Sequence, residues 1–136
     1  MIFAGKRPSN LGVGDRKLAP CPNSPNCVCS QSTDTVHNIA PLTYTSSPEQ
    51  ALSDIKSIIE SLPRTTIINE SDDYLYAEFK SALMGFVDDV EFYLDRNDNI
   101  IHVRSASRLG QSDLGVNRNR IETIRTKLNE IQQNRP

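Results

Sequence analysis

Val87-Asp-Asp-Val-Glu-Phe-Tyr-Leu94, Asp95-Arg-Asn-Asp-Asn99 and Ile100-Ile-His-Val-Arg-Ser-Ala106 are three consecutive segments whose reading decides the fold. Apolar and polar side chains alternate on both sides of a five-residue polar run, the pattern of two strands joined by a hairpin turn. One register satisfies both faces. If Asp95 pairs with Ile100, then Leu94 faces Ile101, Phe92 faces Val103 and Glu91 faces Arg104. Apolar side chains then meet apolar ones and acid meets base, whereas a slip by one residue breaks both patterns. Val90, Phe92 and Leu94 are the inward set, with Asp89, Glu91 and Tyr93 outward.

Upstream, Tyr74–Leu83 alternates in the same way: Leu75, Ala77, Phe79 and Leu83 face inward, and Tyr74, Tyr76, Glu78 and Lys80 outward. Thr65–Glu70 is a short β-branched strand before the Ser71-Asp-Asp turn. A helix over 48–62 precedes it. Ser47 is the N-cap, Pro48 is at N1 and Gln50 completes a capping box. Leu52, Ile55, Ile58, Ile59 and Leu62 recur at helical spacing, and Pro63 ends the run. Downstream, Ile121, Ile124, Leu128 and Ile131 mark a helix over 118–132, with Asn117 as N-cap and a Val116–Ile121 staple. The expected fold is α+β: one antiparallel sheet of about four strands, with an N-terminal-side helix and a C-terminal helix packed on it.

The chain of 136 residues has the length of one domain. Residues 41–136 supply the α+β core. Residues 1–40, rich in proline and holding all three cysteines, read as an extended arm packed on the domain or partly disordered. A net charge of −2 argues against nucleic acid as a partner. No apolar run is long enough to span a membrane, and Met1–Ala4 is too short for the core of a secretion signal, so a soluble, cytoplasmic protein is expected.

The most unusual segment is Arg104-Ser-Ala-Ser-Arg108, followed by Asp113, Asn117, Arg118 and Arg120. Arg118 and Arg120 fall in the first turn of a helix, where a cation opposes the dipole at roughly 0.3–1 kcal/mol each. Something negative should lie nearby. In one reading Arg104, Ser105, Ser107, Arg108, Asn117, Arg118 and Arg120 gather around a small anionic ligand or an acidic partner segment. In the other, Asp88, Asp89, Glu91 and Asp113 satisfy the arginines within the protein. Asp88 and Asp89 also resemble an acid/base pair, although adjacent strand residues point to opposite faces.

Cys21 and Cys27 could close a small disulfide loop worth about 2 kcal/mol in an entropic model. Cys29 would then be left free. A zinc site from Cys21, Cys27, Cys29 and His37 lacks the close cysteine pairs of structural sites. Reduced structural thiols suit a cytosolic chain. A Cys27–His37–Asp34 nucleophile arrangement has the required residue types and little else. His102 shares a strand face with Tyr93 and reads as a packing partner. With no phosphate loop or metalloprotease motif, no cofactor and no metal are expected.

Three segments resemble one uncharacterised family, the domain of unknown function numbered 1499. They are Cys21-Pro-Asn-Ser-Pro-Asn-Cys27 with Ser30, Gln31, His37, Ile39 and Pro41; Gly85-Phe-Val-Asp-Asp-Val-Glu-Phe92; and Arg104-Ser-Ala-Ser-Arg108 with Gly110, Ser112, Asp113, Gly115, Asn117, Arg118 and Arg120. The resemblance implies serine at the position of Cys29, which leaves Cys21 and Cys27 as the family pair. It implies no activity, but it suggests that the three segments meet in space. The expected function is an accessory domain that binds a small anionic ligand or an acidic partner. The alternatives are an enzyme using Asp88 or Asp89 with the arginines on a phosphorylated or carboxylated substrate, and a redox-responsive interaction module switched by Cys21 and Cys27.

Overall fold

The computed structural model describes residues 4–110 and 112–136; Met1 to Phe3 of the short apolar start lie outside the described residues. In chain order the elements are β1 (Cys27–Cys29), β2 (Leu42–Thr43), α1 (Pro48–Ser61), β3 (Thr65–Glu70), β4 (Tyr74–Lys80), β5 (Val87–Asp95), β6 (Ile100–Ser107) and α2 (Val116–Asn134). The sheet runs β1-β6-β5-β4-β3 through antiparallel pairings, and β2 shares the outer edge of β6 with β1. The class is α+β, with six strands where about four were expected. The two extra strands, of three and two residues, lie in segments too short for alternation to register.

The central hairpin adopts the predicted register, with Asp95 opposite Ile100, Phe92 opposite Val103 and Glu91 opposite Arg104. Ser47 caps α1 through a hydrogen bond from the Gln50 backbone N–H to its hydroxyl, and Ile55, Ile58 and Ile59 carry the buried face. That face joins Ile121, Ile124 and Leu128 of α2 and Leu75, Phe79, Phe92 and Val103 of the sheet in one core. Both helices therefore cover the same side of the sheet.

Three local expectations are corrected. Strand β4 stops at Lys80, and Leu83, expected inward, lies in the following turn with 89% exposure. Helix α2 begins at Val116 with a left-handed Gly115 as N-cap, so Asn117 lies inside the first turn; exposed Val116 forms no buried staple. The centre of the outward face of the sheet does not meet water, although Lys80 at the end of β4 is exposed. Tyr74, Tyr76, Tyr93, Asp89 and Glu91 are all buried. Residues of the arm lie across them: Leu11 and Leu18 pack on the three tyrosines, and Arg7, Gly12 and Arg16 reach Glu78, Glu91 and Asp95.

Ile55 is fully buried between α1 and the sheet. Ile55→Ala should lower the unfolding free energy by about 2–5 kcal/mol in denaturant titrations. Leu83→Ala should stay within about 0.5 kcal/mol of the parent.

Candidate functional site

Alternation along β5 and β6 sends the unusual polar residues to opposite faces of the sheet. On the arm side, Arg108 grips Asp89 with two nitrogens, Nε to Oδ2 at 2.9 Å and Nη2 to Oδ1 at 2.8 Å. It also reaches Glu78 and the Tyr76 hydroxyl, and Arg7 shares Glu78. Hydrogen bonds to Asp89 push the Arg108 guanidinium further toward its charged form. Arg104 lies 3.7 Å from Glu91 and donates to the Pro20 carbonyl. Glu91 accepts from the Gly12 N–H and the Tyr74 hydroxyl, yet burial outweighs these partners and raises its carboxyl above the ordinary range. His102 stacks on Tyr93 with ring centroids 6.3 Å apart, as its shared face suggested.

On the helix side, Asp88, Ser105 and Ser107 point toward α2. Arg120 Nη2 lies 2.8 Å from Asp88 Oδ2, and Nη1 donates to Ser105 Oγ and Asn117 Oδ1 at 3.2 and 2.7 Å. Its guanidinium carbon sits 4.8 Å from the centroid of Phe79. Burial raises the Asp88 carboxyl despite Arg120 and Ser107. Buried Asn117 places its amide nitrogen within hydrogen-bonding reach of Asp113, Ser107 and the Asn26 carbonyl. Asp113 accepts the backbone N–H groups of Gly115 and Asn117, placing a negative charge at the start of α2 where the dipole favours one. Partial burial pushes the Asp113 carboxyl up, but the hydrogen bonds from Asn117 and Gly115 outweigh it and hold it below the ordinary range.

A cleft of about 420 Å³ opens over this network. Phe79, Phe86, Val87, Leu109 and Val116 supply apolar walls, Asp88 and Arg120 line its depth, and Arg64 and Lys80 stand at its margin. Phe86, Leu109 and Val116 are more than two-fifths exposed, so they form the mouth.

The four arginines thus do not meet. Arg104 and Arg108 lie under the arm, Arg120 lies across the sheet from them, and Arg118 grips the carbonyls of Asn38 and Val36 at 2.8 and 3.0 Å rather than an acid. Asp88 and Asp89 are separated in the same way, one to each face. The structure instead brings together Asp88, Ser105, Ser107, Asp113, Asn117 and Arg120.

Cys21 and Cys27 form a disulfide with Cα atoms 5.7 Å apart, within bridging geometry. In that state neither sulfur is a metal ligand or a nucleophile. The possible Cys21–Cys27 pairing is the one the structure contains; Cys29 alone is free, and burial raises its thiol pKa. His37 is held by Asp34 and the Ser24 carbonyl. The small loop has a reach the sequence did not reveal. Its last residue before Cys27, Asn26, donates its side-chain amide to the Gly110 carbonyl at 2.9 Å and accepts the Ser107 N–H at 3.0 Å. Asn26 therefore ties the bridged loop to the wall of the cleft. The other residues missed from sequence are Phe79, Phe86, Leu109, Val116, Arg64 and Lys80. Their one available signal was that Phe86 and Leu109 are large apolar residues beside turn glycines, outside any strand alternation.

A family model described as "Protein of unknown function (DUF1499)" matches residues 17–128, and the chain belongs to that family. No curated protein is a significant match to the chain. No helix of the described residues is long and apolar enough to cross a membrane.

Two outcomes test the local architecture. A group whose folded pKa is depressed contributes stability above its unfolded pKa and loses it as pH falls through the folded one. Asp113→Ala should therefore cost about 1 kcal/mol at neutral pH, a loss of cap size. The gap to the parent should close as pH falls from the ordinary aspartate value, about 3.9, read by denaturant titration at several pH values. Reducing Cys21–Cys27 should cost about 2 kcal/mol and speed amide exchange at Ser107, whose N–H is bonded to Asn26.

Proposed function

We propose that this domain is an accessory binding module whose recognition site is the cleft over Asp88 and Arg120. The observation that carries the reading is the cleft itself: apolar walls converging on a partly accessible, hydrogen-bonded ion pair, at a volume within the range of small-molecule sites. The occupant is a small ligand, or a group presented by a partner, with a substantial apolar body. This relocates the expected anion site. Arg108 is gripped by acids beneath the arm, Arg104 is buried there beside Glu91, and Arg118 is engaged by backbone carbonyls, so Arg120 is the member of the set that lines an opening.

Binding is favoured over catalysis because both candidate acids are held. Asp89 is gripped by Arg108 and Tyr76 under the arm, and Asp88 is paired with Arg120. A cytoplasmic location, expected from the sequence, goes with Cys21 and Cys27 as thiols, whereas an oxidising compartment goes with the bridge. The bridge supports the second.

Fragment titration followed by amide chemical shifts tests the site. Neutral and anionic apolar fragments should perturb Val87, Leu109, Gly110 and Val116. Val116→Trp, which fills the mouth from an exposed position, should abolish those shifts and leave the melting temperature within a few degrees. Fragments that map elsewhere, or that bind the Trp variant equally well, would sink the assignment.

A further inference from the structure

Nine of the ten arginines have a side-chain partner within the protein: an acid, a carbonyl or both. Arg64 has no side-chain hydrogen bond or ion pair among the described residues, and neither does Lys80. The two are neighbours, since the Lys80 N–H donates to the Arg64 carbonyl at 3.0 Å, and both line the margin of the cleft. Arg64 is also held at φ 56°, in the left-handed region that side chains disfavour. Two large apolar residues close in sequence to stretches of the cleft lining are highly exposed. Leu83 is 89% exposed in the turn between β4 and β5, and Leu114 is 92% exposed just before α2. Leu114 too occupies the left-handed region, at φ 54°. Two strained positions beside one cleft thus carry an unpaired cation and a bare leucine.

We infer that the cleft takes an anionic amphiphile: a single apolar chain whose carboxylate or phosphate head is met by Arg64 and Lys80. This rests on the cleft being the binding site. The apolar walls accept the chain, and the cation pair selects the charge of the head. An arginine meets either anion with two parallel N–H donors, so the head is recognised by geometry as well as by charge. Asp88 in the depth of the cleft is already neutralised by Arg120, which leaves the marginal cations as the unspent positive charge. The recognised chemistry is shared by a free fatty acid and by one acyl chain with the phosphate of a phospholipid.

The probes are decanoate, decanol and inorganic phosphate, titrated into the full chain and followed by calorimetry and by the amides of Val87, Leu109 and Val116. Decanoate should bind at least tenfold more tightly than decanol, and phosphate alone should not shift those amides. Arg64→Gln with Lys80→Gln, both on exposed side chains, should bring decanoate down to the decanol level with an unchanged melting temperature. Equal binding of decanoate and decanol would overturn the anionic head while leaving the cleft as a binding site. Absence of any shift at the cleft amides would overturn both. Co-sedimentation with vesicles containing phosphatidylglycerol, alongside decanoate binding, identifies lipid as the source of the head. Co-sedimentation without decanoate binding would mean that the loops read a bilayer surface, and would overturn the single-chain site.

Discussion

Every residue of β5 is buried, and four of its nine residues are carboxylates. A buried carboxylate without a partner costs several kcal/mol, so each of these acids requires a cation or several donors from another segment. Asp89 takes Arg108, Glu91 takes Gly12 and Tyr74 with Arg104 nearby, Asp95 takes Arg16, and Asp88 takes Arg120. The partners come from the arm, from β4, from β6 and beyond, and from α2. The strand thereby specifies what docks on each of its faces. The position of Arg120 follows from the same demand: it is the fifth residue of α2, just past the first turn, and that is where Asp88 needs a cation.

The two faces are neutralised to different degrees. Asp89 is met by a two-pronged guanidinium and by Tyr76, a geometry that combines charge and direction. Glu91 is met less fully. Arg104 stands 3.7 Å away, and the nearest carboxylate oxygen, Oε1, has no hydrogen bond. Desolvation accordingly raises the carboxyl despite its partners. The arm thus lies over a region where burial is only partly compensated, and its apolar contacts from Leu11 and Leu18 to the tyrosines contribute the remainder of the attraction.

The hairpin, the helix over 48–62 and the apolar stripe of α2 were legible because each repeats a pattern over many residues. Strands β1 and β2 were not, because three or two residues cannot display a period. Alternation also identified which residues share a face, but not that the polar face would be covered; that depends on Arg7, Gly12 and Arg16, whose partners lie 71 to 79 residues away. The arginine segment was visible as an oddity and misleading as a cluster. Arg104 and Arg108 project to the arm side, while Arg120 approaches from a helix on the other, a division that linear proximity conceals. Asn26 was hidden for another reason: its side chain and carbonyl serve a loop more than eighty residues later.

The pairing of β1 with β6 joins Cys27 to Ala106 and Cys29 to Arg104. A chain made from its N-terminus must therefore hold its earliest strand unpaired until nearly all of the rest has been synthesised, since the edge that receives it comes late. Contacts of such sequence separation form slowly. The Cys21–Cys27 loop is the exception within this waiting segment, because only six positions separate its ends. It can close while β1 is still solvent-exposed, and with Cys27 so engaged, the later burial of Cys29 seals in the one thiol that could have paired incorrectly. Oxidation before docking, rather than after it, is the order this topology favours.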